Sequence, residues 1–105
     1  QRAMGLAMLA EPLPAEKAEQ WGLIWKCVDD DRFADEVAAL ARRLATGPTQ
    51  AYALTKRALR ASVDQDFAAQ LATETTLQRE AGAGADFREG VAAFLGKRPA
   101  KFTGK

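Results

Sequence analysis

Apolar positions return every three or four residues along most of this chain, the spacing of amphipathic helices rather than of strands. Phe33, Val37, Leu40, Ala41 and Leu44 form the cleanest stripe, with Arg42 and Arg43 facing away. The stretch from Asp86 to Pro99 is the best punctuated. Phe87, Val91, Phe94 and Leu95 fall at i, i+4, i+7 and i+8 and share one face. Asp86, followed three residues later by Glu89, reads as a capping box with Asp in place of Ser or Thr. Lys97 and Arg98 fall in the last turn, where positive charge suits the negative end of the helix dipole, and Pro99 ends the helix.

The rest of the chain follows in short pieces. Ala3 to Ala10 is apolar with no N-cap before it, which predicts a helix whose first turn and parent domain lie upstream. Glu11-Pro12-Leu13-Pro14 breaks it, and Pro14 opens a short second helix with Ala15, Ala18 and Trp21 inward. Gly22 supplies a left-handed stop. Leu23 to Val28, rich in β-branched and aromatic residues, reads as one short extended segment with no second strand to pair with. Asp29, Asp30 and Asp31 cap the third helix; Gly47 ends it and Pro48 begins a fourth. There Tyr52, Thr55, Leu59 and Val63 mark one side, and Lys56, Arg57 and Arg60 a basic, solvated opposite side. Asp64 or Asp66 opens a fifth helix carrying Phe67, Leu71 and Leu77. A small, flexible run, Ala81 to Ala85, separates it from the last helix, and the tail Pro99 to Lys105 is extended and basic. The predicted fold is therefore all-α: five or six short helices and one short extended segment, in one domain over residues 1–105.

Composition mainly excludes. A net charge of +1 argues against a broad nucleic-acid surface, which needs a clear basic excess. No run approaches the length of a transmembrane helix. Cys27 is the single cysteine, so no internal disulfide can form, which fits a reducing cytoplasm; in its apolar run it reads as a buried, inert thiol. With no histidine there is neither a Ser–His nor a Cys–His pair, and the commonest metal ligand is missing. No Gly-rich phosphate loop follows a strand. Asp29 to Asp31 read as a cap rather than a metal site, and Glu16 with Glu19, or Glu74 with Glu80, as surface charge rather than paired acids. No residue is assigned a catalytic or metal-binding role.

Two residues remain as candidates. Phe94 and Lys97 are three apart, so on a helix a ring and an ammonium point the same way. Together they suit a nucleotide that carries a phosphate. The structural alternative is that Phe94 is core and Lys97 ordinary capping charge.

Two motifs carry a resemblance. Leu13 to Ile24, with its Trp21-Gly22-Leu23, is similar to the turn-helix-WGL segment of the enoyl-coenzyme A hydratase/isomerase (crotonase) superfamily. Phe87 to Arg98, with Glu89-Gly90, Ala93-Phe94 and Lys97-Arg98, resembles that family's closing helix. The match runs in order over the whole chain. Within the family, Trp21 to Asp30 and the ending from Gln78 look most like the members that isomerise ring-epoxidised phenylacetyl-coenzyme A to an oxepin thioester. The resemblance implies the C-terminal helical part of a crotonase fold, acting as lid and oligomerisation domain, with the oxyanion hole and acid/base carboxylates in an N-terminal domain not included here. It implies an acyl-coenzyme A thioester as substrate with no other cofactor. It also implies a cytoplasmic trimer or hexamer, and a family chemistry of thioester enolates that covers hydration as well as isomerisation. It further implies that Phe94 and Lys97 meet the adenine and 3′-phosphate of coenzyme A. Gln78 stands where some hydratases have a further aromatic near the ligand. The competing expectation is a free-standing helical protein-interaction module without catalysis.

Overall fold

The computed structural model describes every residue, Gln1–Lys105, as six α-helices with no strand. The chain divides into two units, Gln1–Val37 and Ala38–Lys105.

The first unit holds α1 (Arg2–Leu9), α2 (Ala15–Gln20) and the start of α3 (Asp30–Ala45). Pro14 stands at the N-cap of α2, as its fixed φ favours, and Ala18 is the buried residue of that helix. The stop after α2 is a Schellman motif. The Leu23 N–H donates to the Ala18 carbonyl at 2.9 Å and the Gly22 N–H to that of Glu19 at 2.9 Å. Gly22 takes φ +74, the left-handed region where a β-carbon is costly. Arg2 ties α1 to this turn: its guanidinium lies 5.4 Å from the Trp21 ring centre and donates to the Trp21 carbonyl at 3.4 Å.

The extended segment is not a strand. Residues 23–29 bend and run irregularly, and Trp25 is 90% exposed. β-Propensity alone does not hold an unpaired strand, because its backbone groups would lack ladder partners. Instead Lys26 reaches Glu36 on α3 at 2.8 Å, where Arg32 also pairs at 2.8 Å. The hydrogen bond from Lys26 is the main reason the Glu36 carboxyl lies below its usual range. Cys27 is half-buried rather than buried. Desolvation first, and then the charges of Glu16, Glu19, Asp29 and Asp30, push its thiol pKa up, away from thiolate reactivity.

The second unit holds the end of α3, then α4 (Thr49–Ala61), α5 (Phe67–Ala83), α6 (Ala85–Leu95) and the tail. α5 packs against both α4 and α6. Asp66 caps α5 by accepting the Ala69 N–H at 2.8 Å. The face of α4 that meets α5 differs from the one predicted. Leu54 is buried, with Ala51 and Ala58 half-buried beside it, whereas Tyr52, Leu59 and Val63 are exposed. On α5, Leu77 faces inward while Phe67 and Leu71 lie open. Across this contact Gln70 Nε2 donates to the Ala58 carbonyl at 3.2 Å. The run Ala81 to Ala85 is not a flexible spacer either. α5 continues through Ala83 and only Gly84 is extended before α6 begins at Ala85. No helix is long and apolar enough to cross a membrane.

Candidate ligand-binding site

In the second unit the tail returns along α6. Ala85 is already helical, so Asp86 lies inside the first turn and cannot cap it. The predicted capping box is therefore absent, and both carboxylates serve the tail instead. Asp86, 6% exposed, accepts the Thr103 N–H at 2.7 Å, the Thr103 hydroxyl at 3.3 Å and the Gly104 N–H at 2.8 Å. The Asp86 N–H in turn donates to the Lys105 carbonyl at 2.8 Å. These hydrogen bonds, led by the Thr103 amide, hold the Asp86 carboxyl below its ordinary range despite burial. Gly104 at φ +80 allows the tail to close, since a β-carbon there would stand 2.5 Å from Thr49 Oγ1.

Glu89 grips the chain one turn further on. Its two oxygens take Arg98 Nη1 at 2.6 Å and Nη2 at 2.9 Å, and Oε1 also accepts the Lys101 N–H at 2.8 Å. The Arg98 hydrogen bonds, and then that from Lys101, lower the Glu89 pKa to about 2. The same pairing raises that of Arg98.

With the tail so fixed, Phe102 and the α6 residues Phe87, Val91, Phe94 and Leu95 line a groove of about 390 Å³ with Pro48 and Ala51 opposite. The stripe read from the sequence is thus real as a face, but it lies open rather than forming a core. Phe94 is 82% exposed. Lys97 is exposed as well, and none of the four ion pairs involves it.

The geometry linking Phe94 and Lys97 also differs from expectation. α6 ends at Leu95, with Gly96 as its C-cap and no basic residue in the last turn. Lys97 lies beyond the helix with φ +48. Its N–H donates to the Phe94 carbonyl at 3.2 Å and the Arg98 N–H to that of Ala93 at 3.0 Å. This is a second Schellman stop, with lysine where Gly22 stands in the first. The two candidates are joined through one backbone turn, not through a shared helix face. Pro99 follows a helix that has already ended.

Neither the Asp86–Thr103 clasp nor the Glu89–Arg98 pair follows from local sequence rules. The signal was the spacing of two carboxylates on one face ahead of a basic tail, which local rules assigned to capping. No group of three or more acidic or cysteine side chains is placed to hold a metal ion. The surface presents an apolar wall, an open ring and a lysine outside the ion pairs.

Six helices of this order and geometry form the helical part of a crotonase fold. The profile of the Enoyl-CoA hydratase/isomerase family matches residues 1–105, and the chain belongs to that family. It is 51% identical over 104 residues to a 1,2-epoxyphenylacetyl-CoA isomerase of Escherichia coli (strain K12). It is also 51% identical over 104 residues to a probable enoyl-CoA hydratase of Rhodobacter capsulatus. Each alignment takes 99% of this chain and 40% of the relative. An enoyl-CoA hydratase structure from Mycobacterium tuberculosis superposes with a TM-score of 0.88 at 28% identity, covering 99% of this chain and 41% of that one. The chain thus spans about 40% of the length of the relatives it matches.

Proposed function

We propose that residues 1–105 are the C-terminal lid and oligomerisation domain of an acyl-coenzyme A isomerase. In this reading they grip the nucleotide end of the thioester while an N-terminal domain handles the reacting carbons. The observation that carries the proposal is the open Phe94 ring, which lines an apolar groove and is joined through one backbone turn to Lys97, an exposed lysine in no ion pair. Phe94 stacks on the adenine, and Lys97 meets the 3′-phosphate as a point charge. The thioester is substrate, and no further cofactor takes part.

The parent reaction is the rearrangement of ring-epoxidised phenylacetyl-coenzyme A to an oxepin thioester, without gain or loss of water. Two backbone N–H groups of the N-terminal domain stabilise the thioester enolate, and a carboxylate there moves the proton. Support comes from the identity to the Escherichia coli isomerase. The equal identity to a probable hydratase makes hydration the direct competitor. The complete enzyme given each substrate separately discriminates the two. Conversion of the epoxide to oxepin, with no hydration of a 2-enoyl thioester, is expected; hydration alone would replace isomerisation.

The uncovered residues Met4, Met8 and Leu9 on α1, Leu59 on α4 and Val63 just after it support the assembly role. In this reading they are covered by the N-terminal domain and by neighbouring subunits of a cytoplasmic trimer or hexamer. Membrane and nucleic acid have no part in it.

A further inference from the structure

We infer that Glu89 is a positioning residue that fixes the backbone turn presenting Lys97, and thereby sets how strongly the enzyme holds the 3′-phosphate of its ligand. The inference rests on the assignment of Lys97 to that phosphate. Glu89 itself touches no ligand.

Two helix stops of this chain are the same motif. In one the left-handed position is glycine, Gly22 at φ +74; in the other it is lysine, Lys97 at φ +48. A β-carbon in that region is unfavourable, so a lysine turn relaxes unless something holds it. Glu89 is the group that does. Its carboxylate spans the turn from outside, taking the Arg98 fork directly after Lys97 and the Lys101 N–H three residues further along. Arg98 Nη1 also donates to the Pro99 carbonyl at 3.2 Å, closing the loop on itself. Lys97 receives none of these side-chain contacts, so its ammonium stays unpaired while its backbone is constrained. The pairing also compensates the charge of Arg98, whereas Lys97 enters no ion pair.

The test compares KM and kcat of the complete enzyme for a coenzyme A thioester and for its 3′-dephospho counterpart. Glu89→Gln places an N–H where Arg98 needs an acceptor, and Arg98→Lys keeps the charge but loses the fork. Each is expected to raise KM for the phosphorylated thioester about 3- to 10-fold, a typical coupling between neighbouring groups, with kcat and the dephospho KM unchanged. In a Lys97→Ala background, Glu89→Gln is expected to add nothing. Equal KM increases for both thioesters, or effects that multiply with Lys97→Ala, would overturn the positioning role. If Lys97→Ala discriminates between the thioesters and Glu89→Gln does not, positioning alone falls. If Lys97→Ala fails to discriminate, the phosphate assignment falls and this inference with it. Arg98→Lys serves the same comparison should Glu89→Gln fold poorly.

Discussion

Asp86 and Thr103, 17 residues apart, meet through both the amide and the hydroxyl of the threonine, at 2.7 and 3.3 Å from one carboxylate oxygen. This contact holds the tail against α6 and brings Phe102 into the lining of the groove. Asp86→Ala is expected to release the tail and speed trypsin cleavage after Lys101. An unchanged cleavage rate would mean that the tail is held elsewhere.

The two tail-binding carboxylates also predict an acid limb. Glu89 has its pKa lowered from the ordinary 4.5 to about 2, and that of Asp86 is lowered too. A depressed folded value means that the unfolded chain binds protons first as pH falls. Their contribution is therefore complete above pH about 5.5, one unit above the unfolded glutamate value, and is lost as pH drops toward 2. Urea midpoints measured from pH 6 to pH 2.5 are expected to fall over this range, with a shallower slope in Glu89→Gln. A slope unaltered by that substitution would remove the pair from the acid response.

Lys97→Gly separates backbone from charge. Glycine takes φ +48 without a β-carbon penalty, so stability is expected to hold or rise by up to about 1 kcal/mol in urea unfolding. Ligand affinity is expected to drop as in Lys97→Ala. A loss of stability would show that the lysine side chain supports the fold.

Leu77 and Leu59 separate the core from the face proposed to be covered in the complete enzyme. Leu77 is 6% exposed and Leu59 66%. In the isolated chain Leu77→Ala is expected to cost about 2–4 kcal/mol, and Leu59→Ala no more than about 0.5 kcal/mol. In the complete enzyme Leu59→Ala is expected to destabilise measurably and to favour smaller species in light scattering. An unaffected assembly would take α4 out of the interface.

Much of the helix order was legible because it follows from local chemistry. Gly22 stops α2, Pro14 and Pro48 precede helices, and Asp66 caps α5. What local rules missed was decided by partners distant in sequence. Asp86 and Glu89 match a capping box, yet residues 98–104 claim them. Leu59 and Leu54 are equally large apolar residues of α4, yet only Leu54 is buried, because burial depends on where α5 lies and not on local pattern. Phe94 and Lys97 were found by spacing, but the turn that joins them depends on where α6 ends. Gly96 is the C-cap of α6, and Lys97 takes the left-handed position after it.

The most direct test of the account is calorimetric titration of the complete enzyme and its Lys97→Ala variant with coenzyme A and with 3′-dephospho-coenzyme A. A charge-assisted contact predicts that the variant loses about 10-fold or more in affinity for coenzyme A and little for the dephospho form. Equal affinities of variant and wild type for coenzyme A, or equal losses for both ligands, would contradict it.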